Sequence, residues 1–342
     1  MFQTVAMIVL RVCTAPHREE ASDGRQCPAK ISRFIVQTTL KSSVTFTGAG
    51  LHTGRRVRMT IQPASAEYGI WFHRTDVEDR DALIPARWNA VDDTQLCTRI
   101  ANGDGVTVST IEHVMAALAG CGVHNALVEI DGPEVPLLDG SSAQFVSGIL
   151  ERGLVQLDAP VRIIEILKPV TVSRNGATAT LSPSDRFTID FEIDFVDAAI
   201  GHQEKSLDMA NGAFVRELCD SRTFCRKADI DAMRARGLIV GGDVTSAVVV
   251  DGDAVVTPGG MRHQDEPVRH KMLDALGDLF LAGGPILGRY TGERAGHAMT
   301  NLLLRALFSD PSAYRLVECD ASFAARLPGS GLSEADYGLI AA

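Results

Sequence analysis

The sequence has no long hydrophobic run. A helix that crosses a membrane needs roughly 18 or more apolar residues in succession, and no stretch of this chain approaches that length. The short apolar segment 5–10 is not preceded by basic residues, unlike the core of a signal peptide. We therefore expect a protein without a transmembrane segment that remains in the cytoplasm.

Cysteine is scarce, and its spacing shows no paired motif. The chain has 7 cysteines, an odd number, and no two of them are separated by only two residues. A disulfide framework usually has an even number of cysteines, and paired-cysteine metal sites have short fixed spacings. We expect free thiols, as in proteins of a reducing compartment.

Positively charged residues are fewer than negatively charged ones. Lys and Arg total 33 against 43 Asp and Glu, which gives a formal net charge of −10. Proteins whose main partner is nucleic acid usually carry a basic surface, so we expect no nucleic-acid partner here. The hydrophobic fraction of 45% over 342 residues is sufficient for about two domain cores.

The order of strand and helix patterns favours an α+β protein with two similar halves. Residues 1–33 lack periodicity and are interpreted as an irregular extension. In each half, strand patterns precede helix patterns rather than alternating with them. We expect a first α+β domain over 34–158, a second over 161–309, and a less regular C-terminal tail over 310–342.

Three helices are marked by residues typical of helix starts. Ser109 with Glu112 predicts a capping box, and Ser141 with Gln144 predicts another. Pro267 is a typical first-turn residue of a third helix.

The third helix carries the most informative residues, His270, Asp274 and Asp278, which are spaced four apart. At about 3.6 residues per turn they form one polar row, and the apolar neighbours Leu273 and Leu276 indicate that the row faces the interior. A buried carboxylate beside an imidazole needs a partner, and a divalent metal ion is one. The alternative is a solvated helix face, the usual explanation of an isolated His and Asp one turn apart.

A second candidate group is the segment 110–113, Thr-Ile-Glu-His. His113 could supply a third metal ligand, which would leave a fourth position open, as in catalytic zinc sites. Glu112 points about 100° away from its neighbour on a helix, so it could act on the bound water as a general base. The alternative is that Glu112 only caps the helix and that His113 is a packing residue.

Two further side chains are candidates for acid and oxyanion chemistry. His297 lies near a predicted helix start, where imidazolium is disfavoured, so it would need a carboxylate such as Asp278 to act as an acid. Thr223 could donate a hydrogen bond to an oxyanion. Taken alone, each residue is common in a structural role. The glycine-rich segment 48–54 has no lysine and no following helix, which indicates a tight loop rather than a phosphate-binding loop.

Short motifs occur in a fixed order along most of the chain. They are Gly50–Gly54, Ser109–His113, Pro136–Ser141, Ser221–Phe224, Arg236–Leu238, Asp265–Glu266, Val268–Asp274, Gly277–Leu279 and Gly296–Ala298. Each motif is weak alone, but the ordered set closely resembles the zinc-dependent UDP-3-O-acyl-N-acetylglucosamine deacetylases of lipid A biosynthesis.

The resemblance implies a site with three kinds of residue. The residues implied to bind Zn²⁺ are His113, His270 and Asp274. The residues implied to be catalytic are Glu112 as general base, His297 with Asp278 as the acid that protonates the leaving amine, and Thr223 at the oxyanion. The residues implied to contact substrate are Lys271, Phe224, Arg294 and Lys168.

The resemblance also implies the location of the site and its ligand. The active site is expected between the two domains of a monomer, with a segment at about 224–242 forming an apolar tunnel for the acyl chain of a UDP-linked glucosamine. Residues 225–228, Cys-Arg-Lys-Ala, are basic where relatives usually have an aromatic or apolar residue, so the acyl length is not predicted. The extension before Ile35 is not a feature of the family.

Two other functions remain open. Another zinc amidohydrolase or peptidase could use the same ligands, although the absence of an HExxH motif disfavours the common metalloproteases. A non-catalytic protein that binds metal or a lipid-linked sugar is the second. Glu112 and His297 beside the ligands disfavour it, because a structural zinc site closes with four protein ligands.

Overall fold

The computed structural model describes residues 35–235, 237, 241, 246–332 and 336. The predicted extension over 1–33, the motif residues Arg236 and Leu238, and the end of the tail lie outside the described residues. Within them, no helix has the length and apolar character needed to cross a membrane.

The strands are listed in chain order. They are β1 (Val36–Leu40), β2 (Val44–Ala49), β3 (Arg56–Pro63), β4 (Ile70–Arg74), β5 (Leu83–Pro85), β6 (Val91–Asp93), β7 (Arg99–Ala101), β8 (Thr107–Val108), β9 (Ala126–Ile130), β10 (Leu154–Pro160), β11 (Arg162–Ile166), β12 (Val170–Arg174), β13 (Ala177–Ser182), β14 (Thr188–Asp194), β15 (His202–Asp208), β16 (Phe224–Arg226), β17 (Val248–Asp251), β18 (Ala254–Val255), β19 (Ile286–Leu287), β20 (Arg289–Glu293) and β21 (Tyr314–Glu318).

The helices complete the inventory of the described chain. They are α1 (Glu112–Gly120), α2 (Ala143–Arg152), α3 (Lys227–Ala235), α4 (Glu266–Phe280), α5 (His297–Ser309) and α6 (Ala321–Ala324), with a 3-10 turn at Trp88–Ala90 and a π-helical turn at Phe214–Leu218.

Two five-stranded sheets share one topology. Their strand orders are β2-β3-β9-β4-β5 and β12-β13-β20-β14-β15. In each sheet the third and fourth strands of that order pair in parallel, and the other pairs are antiparallel. Along the chain, each sheet is built from four strands, then a helix, then the strand at the centre of the sheet, then a second helix. Helix α1, strand β9 and helix α2 of the first sheet therefore correspond to α4, β20 and α5 of the second. The predicted α+β class is confirmed.

Each large sheet buries one face through alternating side chains. In β3 the buried residues are Val57, Met59 and Ile61, and in β14 they include Ile189 and Phe191. This period of two residues is that of a half-buried strand, and the apolar faces lie against helices. Helix α2 contacts β2, whereas α4 contacts β14 and β15, and α5 contacts β12 and β13.

Helices α1 and α4 pack directly on each other. The two helices are tightly packed at Gly277, where an added Cβ would lie 2.1 Å from the carbonyl oxygen of Glu112. Only a residue without a side chain allows this distance, and the close approach brings the polar residues of the two helices together.

The first predicted capping box is wrong. Helix α1 begins at Glu112, its N-cap is Ile111, and no side chain caps it. The Ser109 hydroxyl donates instead to the carbonyl of Pro133 at 3.2 Å, and the Glu112 carboxylate is buried. The motif fits the sequence of a capping box, but the Glu112 side chain points inward and accepts a hydrogen bond from the N–H of Thr98.

The second predicted capping box forms only in part. The Ser141 hydroxyl accepts the N–H of Ala143, the first residue of α2, at 3.2 Å, but the N–H of Ser141 donates to Asp139 and not to Gln144. The N-cap of α2 is Ser142, and its side chain makes no capping bond. Its hydroxyl donates to the carbonyl of His113 at 2.8 Å, which ties the start of α2 to α1.

The structure also contains a strand that was not predicted. Strand β21 pairs with β11 where an irregular tail was expected. Its side chains are mostly exposed, so it lacks the alternating pattern of a half-buried strand.

Candidate active site

The polar row of α4 faces the interior. His270, Asp274 and Asp278 are 2%, 4% and 3% exposed, so the interpretation as a solvated helix face is wrong. Pro267 lies in the first turn of the helix, as predicted. Because the three residues lie on successive turns, the helix presents two carboxylates and an imidazole along one buried edge.

Three side chains converge where α1 packs on α4, namely His113 of α1 and His270 and Asp274 of α4. Nε2 of His270 lies 3.3 Å from Oδ1 of Asp274, and Nε2 of His113 lies 3.7 Å from the same oxygen. One ligand atom from each residue lies within 4.8 Å of the others. The spacing is that of a group able to hold one metal ion.

The protonation of this group suits metal binding. The backbone carbonyl of Ser221 lies 3.0 Å from Nδ1 of His270, which places the imidazole proton there and leaves Nε2 as an acceptor. Burial lowers the pKa of His113 to about 3 and also lowers the pKa of His270, so both rings are neutral. Burial opposes ionisation of Asp274, but the neighbouring positive charges, among them Lys271 and protonated His297, outweigh it and lower the pKa of Asp274.

Asp274 leaves one oxygen without a partner. Lys271 Nζ donates to Oδ2 at 2.7 Å, whereas Oδ1 is buried and has no hydrogen-bond partner among the described residues. Oδ1 lies 3.3 Å from Nε2 of His270 and 3.7 Å from Nε2 of His113, and it receives a hydrogen bond from neither ring. A divalent cation bound between the three ligand atoms would give the unpartnered Asp274 oxygen a positive partner. Two imidazoles with one carboxylate form a ligand set typical of catalytic metal sites.

Glu112 lies beside the candidate metal ligands and is itself buried. Its Oε2 accepts a hydrogen bond from the backbone N–H of Thr98 at 3.0 Å. Burial raises the pKa of Glu112 to about 7, with Asp274 and Asp278 adding to the rise and His297 opposing it. A carboxyl group with this proton affinity can both take up and release a proton near neutral pH.

His297 forms a pair with Asp278. Nδ1 of His297 lies 2.8 Å from Oδ2 of Asp278, and Nε2 lies 4.0 Å from Oδ2 of Asp274. Burial would lower the pKa of His297, but the charge and hydrogen bond of Asp278 outweigh it and raise the pKa to about 9. His297, the first residue of α5, therefore has the expected carboxylate neighbour, and it is a proton donor at neutral pH.

A cavity of about 480 Å³ opens onto these groups. Its polar lining includes Thr223, Lys271 and the candidate metal ligands, and Phe224 lies beside them with its ring 6.3 Å from that of His270. Thr223 is fixed by its backbone, because its N–H donates to the carbonyl of Gly140 at 2.8 Å. Besides Phe224, the apolar residues of the lining include Leu51, Leu96, Leu137, Phe195, Ala232 and Met233.

Two residues expected to contact substrate are not among those that line this cavity. Lys168 is exposed and pairs with Asp310 at 2.7 Å. Arg294 is exposed and has a left-handed backbone with φ of 51°. The structure does not bring either side chain to the site.

The basic segment at 225–228 is balanced by acidic side chains. Arg226 pairs with Asp197, and Lys227 pairs with Asp251 at 3.0 Å. Its positive charge therefore has anionic partners and does not make this wall of the cavity strongly basic.

Sequence reasoning missed the groups that hold the site residues in place. They include the hydroxyl and N–H of Thr98 and the carbonyl of Ser221. Two of these three groups are backbone atoms, which every residue carries, so no sequence pattern could have indicated them.

A buried His–His–Asp group beside a carboxyl base is typical of hydrolases that use a bound metal ion. A family model described as UDP-3-O-acyl N-acetylglycosamine deacetylase matches residues 37–309. The chain belongs to this family, and the resemblance found in the sequence is confirmed.

The matches to curated relatives extend over nearly the whole length of each relative. A UDP-3-O-acyl-N-acetylglucosamine deacetylase of Phenylobacterium zucineum is 49% identical over 282 residues, which is 82% of this chain and 96% of the relative. Proteins of the same name from Shewanella oneidensis and Pseudoalteromonas atlantica are 41% and 43% identical, over 86% and 84% of this chain and 98% and 95% of the relatives.

Proposed function

We propose that this protein is a Zn²⁺-dependent deacetylase that hydrolyses the N-acetyl group of UDP-3-O-acyl-N-acetylglucosamine and releases acetate, an early step of lipid A biosynthesis. The names of its relatives support the substrate. The observation that carries the chemistry is the cluster of His113, His270 and Asp274, which lies beside Glu112 and His297. In this cluster one buried oxygen of Asp274 has no hydrogen-bond partner among the described residues.

The three clustered residues would hold the metal ion. Two neutral imidazoles and a carboxylate suit Zn²⁺, and three protein ligands leave one position for substrate or water. When bound there, zinc supplies a Lewis acid that activates water and polarises the amide carbonyl. Lys271 keeps Asp274 oriented through its hydrogen bond to the second carboxylate oxygen.

We assign the two proton transfers to Glu112, which accepts a proton, and to His297, which donates one. Ionised Glu112 takes a proton as water adds to the acetyl carbonyl, and the Thr223 hydroxyl donates a hydrogen bond to the oxygen that gains charge. Protonated His297, supported by Asp278, then gives its proton to the nitrogen as the C–N bond breaks. The products are a free amine and acetic acid, which releases its proton to solvent as acetate. Glu112 then gives up the proton taken from water and His297 regains one, so atoms and protons balance and both groups are restored.

The cavity lining supports the rest of the substrate assignment. We assign Lys271 and Phe224, which line the cavity, to contacts with the substrate, and the apolar wall that includes Met233 of α3 to the acyl chain. Lys168 and Arg294 have no part in this proposal, because neither lines the cavity. We assign the site to the contact between domains 34–158 and 161–309, since α1 comes from the first and α4 from the second.

We also propose that the protein acts as a cytoplasmic monomer without a nucleic-acid partner. Cys97, Cys121, Cys219 and Cys319 are free thiols, which suits a reducing compartment. Each residue assigned to the site belongs to one chain, so the chemistry needs no second copy.

An acetate-release assay on the purified, zinc-loaded protein tests the function. The substrate is UDP-3-O-acyl-N-acetylglucosamine, and the controls are the same nucleotide sugar without its acyl chain and N-acetylated peptides. We expect stoichiometric acetate and free amine from the acylated substrate only. Turnover of the peptides instead would indicate another amidohydrolase, and binding of the substrate without turnover would indicate a non-catalytic lipid-sugar binding protein.

A further inference from the structure

We infer that Thr98 is a positioning residue for the proposed deacetylation, because it fixes the general base Glu112 and the Asp278–His297 pair from a single point. Thr98 lies between β6 and β7, on none of the three helices that carry these groups. It is 2% exposed and is not among the residues that line the cavity, so it acts through its neighbours and not on the substrate.

All three polar groups of Thr98 are directed to the site. Its hydroxyl donates to Oδ1 of Asp278 at 2.6 Å, and its N–H donates to Oε2 of Glu112 at 3.0 Å. Its carbonyl accepts the N–H of Ile111, the residue before α1, at 3.3 Å. One residue therefore links the start of α1 to the last turn of α4.

The hydroxyl determines which way Asp278 faces. One oxygen of Asp278 accepts from Thr98, and the other lies 2.8 Å from Nδ1 of His297. With both oxygens occupied, the carboxylate plane is held and the imidazole is oriented with Nε2 toward the cavity. Loss of the hydroxyl would leave a buried carboxylate oxygen unpaired, which favours rotation of Asp278 away from His297.

A merely structural role for Thr98 predicts different behaviour. A buried threonine that only stabilises the fold would lower the melting temperature when it is replaced, without changing turnover of the folded protein. Thr39 provides the matched control, because it is 3% exposed and its hydroxyl donates to the carbonyl of Asn125 at 2.7 Å, away from the site.

The experiment compares Thr98→Val, Thr98→Ser and Thr39→Val in the zinc-loaded protein, with kcat, KM and metal content measured for each. Because a hydrogen bond to a charged group is lost, we expect kcat of Thr98→Val to fall about 10- to 100-fold, with KM and zinc content unchanged. Thr98→Ser keeps the hydroxyl and should restore most of kcat. Thr39→Val should lower stability and leave kcat as in the wild type.

A double-mutant cycle with Asp278→Asn isolates the proposed link. Because Thr98 acts through Asp278, we expect Thr98→Val to reduce kcat by no more than about twofold in the Asp278→Asn background. The inference is overturned if Thr98→Val has wild-type kcat, if Thr98→Ser is as impaired as Thr98→Val, or if the two losses multiply in full. Failure of the wild type to release acetate would instead refute the proposed function on which this inference rests.

Discussion

Glu112 and Asp274 are both buried carboxyl groups, yet their pKa values are shifted in opposite directions. Burial dominates at Glu112 and raises its pKa to about 7. At Asp274 the positive charges of Lys271 and protonated His297 outweigh burial and keep the group ionised. Two carboxyls with different proton affinities are suited to different tasks, one as a metal ligand and one as a base.

Replacing Glu112 by Gln tests the base directly. The amide fills the same space but cannot take up a proton, so we expect kcat to fall by about 10²- to 10⁴-fold while the zinc content stays at the wild-type level. Acetate release and metal analysis on the same samples check both parts. Glu151→Gln, at an exposed position on α2, is the control and should not change kcat. Wild-type turnover of Glu112→Gln would contradict the assignment.

The pair of His297 and Asp278 predicts a pH effect. Asp278 raises the pKa of His297 to about 9 despite burial, so removal of its charge by Asp278→Asn lowers that pKa. The protonated acid is then lost at a lower pH, and the alkaline limb of the rate profile should move toward neutrality. Profiles of kcat against pH for the two proteins check this, and an alkaline limb that stays in place would contradict the role of His297 as the acid.

Among the secondary-structure elements, the contact of α1 with α4 is decisive for the site. An alanine at Gly277 would place its Cβ 2.1 Å from the Glu112 carbonyl oxygen, whereas an alanine at exposed Gly103 would meet nothing within 4 Å. We expect Gly277→Ala to destabilise the protein by about 1–3 kcal/mol through overpacking, although alanine favours helix by itself. Urea unfolding measures the change, and Gly103→Ala is the control. A Gly277→Ala protein more stable than the wild type would show that the helices separate freely.

The loop between β2 and β3 depends on one buried acid. Glu134 is 0% exposed and accepts hydrogen bonds from the N–H groups of His52 and Thr53 and from the hydroxyl of Thr110. Glu134→Ala leaves these donors unpaired, so we expect a loss of about 1–3 kcal/mol in the free energy of unfolding. Urea unfolding checks this against Glu151→Ala, and equal stability of the two variants would contradict it.

Sequence patterns predicted the elements better than the contacts between them. The row on α4 was predicted because a period of four residues and apolar neighbours mark a buried helix edge. Glu112 was predicted both as a base and as a capping residue, and the structure excludes the second because its side chain points inward. Strand β21 was missed because an exposed edge strand has no clear alternation. Lys168 and Arg294 were expected from resemblance alone, and no local pattern located their side chains.

For the whole molecule, the repeated topology of the two large sheets explains how the site is assembled. Helices α1 and α4 occupy the same position in the two repeats, and each follows four strands of its own sheet. Helix α1 supplies His113 and Glu112, whereas α4 supplies His270, Asp274 and Asp278. The sequence shows no identity between the halves, so this correspondence is visible only in the strand order.

The central claim is that one ion joins the two repeats at His113, His270 and Asp274. The most direct test is X-ray diffraction at the zinc absorption edge from crystals of the protein loaded with one equivalent of Zn²⁺. We predict a single anomalous peak in contact with Nε2 of His113, Nε2 of His270 and Oδ1 of Asp274. A peak located elsewhere, or none at these three atoms, would contradict the account.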